Sequence, residues 1–232
     1  MKKEIRQNLI IYVIFLIIAI TGLFYGRSIN DGSGLYRVWN FIDILLLLIG
    51  VPFLFFQNKA KLPDFWDKKV RQSNRIIYPV LVGILFGVLD VAIFKLILHP
   101  EAYDKMPPFL QPFPYSVFLY VSGAFDVEIF YRLIPLTIIL VIGNWFRKGK
   151  YYNAFFWTGA VLTALREPLE QLPEGSTWII IYSLLTGFLM NFSQAVFYKR
   201  AGFMASISVR LGHYLLWHIL LGMYVEFFEL VG

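Results

Sequence analysis

Long apolar runs alternate with short polar segments along the chain. About 20 mostly apolar residues, each rising ~1.5 Å, are needed to cross a hydrocarbon layer ~30 Å thick. Seven runs approach that length: Asn8–Tyr25, Phe41–Phe56, Ile76–Leu98, Tyr115–Trp145, Tyr152–Leu165, Trp178–Tyr198 and Phe203–Leu230. The ends of the long fourth run and the short fifth run are the least sharply defined. The pattern predicts an all-α, polytopic transmembrane helical bundle of about seven spans, with residues 1–232 forming a single integral membrane domain.

The basic residues predict how this bundle is oriented. With the N-terminus in the cytoplasm, 14 of the 21 Lys and Arg residues fall in cytoplasmic segments, and four fall in outer segments. Such an asymmetry is what the positive-inside rule describes. The net charge of +6 is explained by basic loops that face anionic lipid headgroups. We therefore expect a multi-pass protein of the plasma membrane, with the lipid bilayer as a partner and no nucleic acid.

Several ionisable residues interrupt the apolar runs. At the bilayer centre such a side chain costs at least ~2.5–3.5 kcal/mol, and it is a functional candidate by default. They lie in the third, fourth and seventh runs: Asp90, Lys95, Asp126, Glu128, Arg132, Arg210, His213 and His218. Counted from the ends of their runs, Asp90, Glu128 and His213 reach a similar depth. We expect a polar cavity where these three helices meet.

Glu128 and Arg132 are four residues apart, so they share a face of a regular helix and can pair. At ~4 Å and an effective dielectric constant near 20, that pair gains about 4 kcal/mol, which is comparable with the insertion cost. One interpretation is an ion pair that stabilises the fold. The other is that Arg132 orients Glu128 as a catalytic or metal-binding carboxylate.

The seventh run carries Arg210, His213, Tyr214 and Trp217 at spacings of three and four, which predicts that they share one helix face. His218 follows His213 by five residues, about 140° further round a regular helix, so the two are poor ligands for one metal unless the helix is irregular. The chain has no cysteine and no His-Glu-x-x-His helix. The sequence therefore gives little support for a divalent metal and identifies no other cofactor.

One segment carries a family resemblance. The stretch "DVEIFYRLIPL" resembles the first signature, Glu-Glu-x-x-x-Arg, of the CAAX-protease and bacteriocin-processing (Abi) family. Two later stretches, "LTALREP" and "YKRAGFMASISVRLGHYLLWH", follow in an order similar to the family's Phe-x-x-x-His and His-x-x-x-Asn motifs. The resemblance covers residues 115–220. It implies an intramembrane peptidase that acts on a membrane-associated or prenylated peptide.

The chain departs from this family pattern at the motif positions. The family's first glutamate falls on Val127, and the second motif's histidine falls on Arg166. His213 is the candidate for the third motif's histidine, but the asparagine is replaced by Trp217. Valine cannot exchange a proton, and arginine effectively never loses one. Two positions that the family uses for catalysis are therefore replaced, and the resemblance leaves open whether the chain is an enzyme.

If the chain is a peptidase, the resemblance implies that Glu128 acts as base or electrostatic partner and that Arg132 orients it. His213 and His218 would then stabilise an oxyanion or handle protons. The supporting or cavity-lining candidates are Asp90, Asp126, Arg166, Glu167, Arg210 and Tyr214. Asp126 or Glu167 could take the role of the missing glutamate, although Asp126 points to another face than Glu128.

Two other functions fit the same residues. The first is a non-catalytic relative that uses the cavity to bind a peptide, a lipid or a partner membrane protein. The second is a small proton-coupled transporter with Asp90, Glu128 and His213 as a relay. The chain has no visible duplicated halves, which are common in transporters.

Overall fold

The computed structural model describes residues 3–30, 32, 34 and 36–230, so residues 1, 2, 31, 33, 35, 231 and 232 of the expected domain lie outside the described residues. The described part of the chain is helical and contains no strand. Seven helical segments follow one another: α1 (Lys3–Ile29), α2 (Phe41–Phe55), α3 (Ser73–Ile97), α4 (residues 115–145), α5 (Tyr152–Glu170), α6 (Thr177–Ala201) and α7 (residues 203–229).

Each helical segment coincides with one of the apolar runs. Within the described residues, α1, α3 and α6 are long and apolar enough to cross a membrane, and α2 is apolar but shorter. The fifth helix starts at Tyr152 as expected but continues to Glu170, beyond the predicted end at Leu165. The helical bundle is thus confirmed, and three of its described helices have the length and composition to cross a membrane. The number of spans and the cytoplasmic N-terminus stay predictions.

Helix α7 lies at the centre of the bundle and packs against α3, α6 and the first half of α4, while α5 packs between α6 and the second half of α4. Small residues allow α3 and α7 to approach closely. A Cβ on Gly83 would lie 1.8 Å from the Val209 carbonyl oxygen, and one on Gly212 would lie 2.3 Å from that of Val80. Gly83 and Gly87 also form the G-x-x-x-G spacing that lets membrane helices pack backbone to backbone.

Aromatic rings fill the core on the other side of the bundle. Phe15 of α1 stacks on Phe125 of α4, with ring centroids 4.9 Å apart, and Phe65 from the segment after α2 stacks on Phe203 of α7 at 4.2 Å. Large apolar side chains also cover the outside of the helices: Ile181, for example, is 59% exposed. An apolar exterior around a packed core is typical of a bundle surrounded by lipid.

Three helices change from α- to π-helical geometry directly after a polar residue. The π-helical segments are Val91–Ile97 in α3, Ile129–Leu133 in α4 and Leu215–Leu220 in α7. They follow Asp90, Glu128 and Tyr214 respectively. A π turn is wider than an α turn, since its hydrogen bonds join residues i and i+5, and it often occurs at functional sites. Each segment therefore changes which side chains share a face beyond that point.

Candidate functional site

A network of buried charges joins α4, α5 and α7. Glu128, Arg132, Glu167 and Arg210 are all at most 5% exposed. Arg210 binds Glu167 through two parallel contacts, Nη1 to Oε1 at 2.7 Å and Nη2 to Oε2 at 2.5 Å. This bidentate geometry is the strongest form of the arginine–carboxylate interaction. Glu167, which the sequence suggested only as a substitute acid, is thus the main partner of Arg210.

Two amide side chains of α6 connect the charges of the network. The Gln194 side chain donates to the Glu128 carboxylate, and its Oε1 accepts from Arg132 and from Arg210, each at 3.1 Å. The Asn191 Oδ1 accepts from Arg210 at 2.8 Å and also from Arg132. Sequence reasoning missed both residues because a neutral amide carries no charge that would mark it within an apolar run. Their spacing of three on one helix was the available indication.

The expected direct ion pair between Glu128 and Arg132 is not formed. Neither residue belongs to an ion pair within the described residues, and Gln194 links the two instead. The π-helical segment Ile129–Leu133 lies between them, so the i, i+4 alignment of a regular helix does not apply. Arg132 Nη1 donates instead to the Tyr131 carbonyl oxygen at 2.9 Å.

A second polar cluster joins α3, α6 and α7. His213 Nε2 lies 2.7 Å from Asp90 Oδ2, and the Tyr182 hydroxyl donates to Asp90 Oδ1 at 2.8 Å. Asp90 and His213 therefore meet directly, whereas Glu128 belongs to the neighbouring network. Tyr182 was not among the candidates, because tyrosine is common in membrane helices. Lys95, the other charge of α3, pairs with Glu229 at 2.8 Å.

His218 lies near His213 on α7. The ring centroids of the two histidines are 6.3 Å apart, since the π-helical segment Leu215–Leu220 separates them. The separation of about 140° applies to a regular helix, and α7 is the irregular case. His218 Nδ1 lies 2.7 Å from the Phe109 carbonyl oxygen, and its ring stacks on Tyr120 at 4.2 Å. Even so, among the described residues no group of three or more His, Asp or Glu side chains could hold a metal ion.

A cavity of about 260 Å³ is lined by residues of α3, α5, α6 and α7, and we call it the α3–α6 cavity. Its polar walls are Asp90, Glu167, Asn191, Arg210, His213 and Tyr214. Phe86, Phe94 and Trp217 provide apolar walls. Both polar clusters thus contribute to this cavity, although Glu128 and Arg132 do not line it.

A larger cavity of about 590 Å³ lies on the other side of Tyr214 and His218, which border both spaces. Asp126 and Val127 line this second cavity. Arg166 lines it as well, and its half-exposed side chain pairs with Glu170 at 2.8 Å. Asp126 and Arg166 are therefore separated from the Asp90–His213 cluster.

No protein-family model, curated protein or solved structure matches the chain.

Proposed function

We propose that the chain is a multi-pass plasma-membrane protein of about seven spans, with a cytoplasmic N-terminus, that holds a membrane-associated peptide without cleaving it. In this proposal it is a divergent, non-catalytic relative of the CAAX-protease family. The observation that carries the proposal is the position of Glu128, the one acid retained from the family's first motif. It is 0% exposed, it accepts a hydrogen bond from Gln194, and it lines neither cavity.

A general base must come within hydrogen-bond reach of the water that it activates. Glu128 is enclosed by the buried network, which supports a role in stabilising the fold. The replaced motif positions support the same conclusion. Val127 has no proton to exchange, and the Arg166 guanidinium is engaged by Glu170 at the surface. The α3–α6 cavity, which offers hydrogen-bonding groups beside aromatic rings, is better suited to binding.

Peptide hydrolysis is the second candidate, because Asp90 and His213 have the geometry of an oriented base. A carboxylate that accepts from one imidazole nitrogen sets the tautomer and leaves the other nitrogen to take a proton. In this version His213, not Glu128, would activate water, and Arg210 would stabilise the developing oxyanion. Both residues line the α3–α6 cavity.

The experiment measures binding and cleavage on the same sample. Purified protein in lipid nanodiscs is titrated with fluorescent prenylated and unprenylated peptides, binding is followed by anisotropy, and the peptides are then analysed by mass spectrometry. We expect saturable binding, intact peptides, and a Glu128→Gln variant that loses thermal stability but keeps the affinity of the wild type.

Each other outcome has a definite meaning. Cleavage that disappears with Glu128→Gln would restore the family mechanism and overturn the proposal. Cleavage that disappears with Asp90→Asn, while Glu128→Gln keeps it, would establish the second candidate. The absence of binding to either peptide class would refute peptide recognition.

A further inference from the structure

The second cavity is large enough for a ligand of its own. It is lined by residues of α2, α4, α5 and α7, by the segment before α2 and by Gln171 after α5. Its volume of about 590 Å³ lies within the roughly 300–1,000 Å³ that is usual for small-molecule pockets. The proposed function places the peptide in the α3–α6 cavity, so the charged groups of the second cavity have no role in it.

Asp126 is the acid that lacks a partner in this cavity. It lines the cavity, is partly exposed, and neither of its oxygens is enclosed, in contrast to Glu128 Oε2. Within the described residues, it has no hydrogen bond or ion pair. Every other acid of α2 to α7 has at least one such partner: Asp43, Asp90, Glu128, Glu167, Glu170, Glu226 and Glu229. An unpaired carboxylate in a membrane helix is costly, and a cationic group of a ligand would supply its partner.

The surroundings of Asp126 also favour a positively charged group. Asp43, the other acid of the cavity wall, acts on Asp126 by electrostatic repulsion. A cation bound beside Asp126 would relieve that repulsion. Trp39 and Phe130 belong to the same wall, and the faces of aromatic rings attract organic cations. An ammonium group therefore fits this part of the cavity.

Arg37 places a positive charge elsewhere in the same cavity wall. Its carbonyl oxygen accepts from the Tyr115 hydroxyl at 2.5 Å, so Arg37 lies near the start of α4. Asp126 is further along α4, roughly 16 Å from Tyr115 at 1.5 Å per residue. Arg37 is exposed and forms no ion pair within the described part of the chain, whereas the other arginine of the wall, Arg166, is paired with Glu170. The cavity thus offers a carboxylate at one depth and a guanidinium at another.

We propose that the second cavity binds a zwitterion, whose ammonium group pairs with Asp126 and whose acidic group is directed towards Arg37. Such a ligand carries both charges and is neutral overall, so it adds no uncompensated charge to the bundle. An ethanolamine phospholipid head group and a free, water-soluble zwitterion share this chemistry, and the test separates the two sources. The inference goes beyond the proposed function, since the two use different cavities.

The test compares probes with and without the ammonium charge. Glycerophosphoethanolamine and phosphatidylethanolamine, both radiolabelled in the ethanolamine, are titrated against the full-length protein in a non-ionic detergent. Their N-acetylated forms, which keep the phosphate and lose the positive charge, are the matched controls. We expect saturable binding of the amines and at least tenfold weaker binding of the N-acetylated forms. Tighter binding of the phospholipid than of the free head group assigns the site to a lipid, and equal or weaker binding assigns it to a free zwitterion.

Three variants locate the binding. Asp126→Asn should weaken amine binding at least tenfold without lowering Tm, because it removes a charge that has no protein partner. Arg37→Gln should weaken binding of the same probes, since it removes the partner of the phosphate. The control Asp64→Asn changes a partly exposed carboxylate that does not line this cavity, so it should leave the affinity unchanged.

The result that would overturn the inference is no saturable amine binding, equal affinities for the amine and N-acetylated forms, or wild-type binding by Asp126→Asn. Wild-type binding by Arg37→Gln would overturn the zwitterionic ligand. If Asp126→Asn does not fold, the ratio of amine to N-acetylated affinity in the wild type decides. Peptide binding to the same variants should keep the wild-type affinity, so failure of this inference would leave the proposed function standing.

Discussion

Two arginine–glutamate pairs among the described residues differ in burial and in geometry: Arg210 contacts Glu167 through two hydrogen bonds, whereas Arg166 contacts Glu170 through one. The closest nitrogen–oxygen distance is 2.5 Å between Arg210 and Glu167 and 2.8 Å between Arg166 and Glu170. The side chains of the first pair are 2% and 7% exposed, and those of the second are 49% and 46% exposed. The comparison therefore tests how much burial and bidentate contact together determine the contribution of an ion pair to stability.

Glu167→Gln removes one charge of the buried pair and leaves Arg210 without its counter-ion. Breaking a buried pair in this way costs about 3–5 kcal/mol. For a chain of this size, 1 kcal/mol corresponds to roughly 2–4 °C in Tm, so we expect a decrease of about 6–20 °C. The matched control, Glu170→Gln, breaks an exposed i, i+4 pair worth about 0.3–0.5 kcal/mol, so its Tm should change by about 1–2 °C.

The assay is thermal unfolding of the purified variants in one detergent, followed by tryptophan fluorescence at a fixed scan rate. A double variant, Glu167→Leu with Arg210→Met, adds a second test, because removing both charges avoids the unpaired one. It should be more stable than Glu167→Gln alone. Similar Tm decreases for Glu167→Gln and Glu170→Gln, or a double variant that is less stable than Glu167→Gln, would refute the reasoning.

Two further predictions concern other parts of the bundle. Gly83→Ala should lower Tm by at least several degrees, because its Cβ would lie 1.8 Å from a backbone oxygen. The control, Gly123→Ala, should not lower Tm, since nothing lies within 4 Å of its Cβ. Equal effects of the two substitutions in thermal unfolding would contradict the close packing of α3 and α7. In the segment between α2 and α3, burial raises the pKa of Asp64 against the opposing hydrogen bond from Asn8. The folded state therefore binds the proton of the Asp64 carboxyl more tightly than the unfolded state does. The contribution of Asp64 to the free energy of unfolding therefore falls as pH rises above the ordinary Asp pKa of ~3.9. Asp64→Asn should remove that fall and be more stable than the wild type at pH 7; unfolding curves of both proteins between pH 4 and 7 that run parallel would contradict this.

The sequence pattern was sufficient to predict the helices and where most of them end. Apolar runs and their polar boundaries are local properties, which explains why the structure has one helical segment for each run. The end of α5, which the sequence left uncertain, lies further along the chain than Leu165. The pattern stopped it at Leu165 because Arg166 and Glu167 are charged, but the buried pair of Glu167 with Arg210 allows the helix to continue.

The partners of the charged residues were harder to predict from the sequence. Counting residues from the ends of the apolar runs placed Asp90 and His213 at a similar depth in the membrane. The two side chains are in contact in the structure. The same counting gave no information about which way Glu128 points. Its hydrogen bond to Gln194 depends on how α4 and α6 pack, and that packing is a tertiary property that no spacing within one helix contains.

The helix irregularities explain why the face assignments failed where they did. The predicted side-chain faces assume about 100° per residue, as in a regular α-helix. The two places where regular geometry does not apply, the Glu128–Arg132 spacing and the angular separation of His213 and His218, each involve a π-helical segment. π turns are rare and occur frequently at functional sites. In α7 one of them brings His218 to the wall shared by the two cavities, which a regular helix would direct elsewhere. The irregular turns are therefore part of how this bundle concentrates its polar groups at one place.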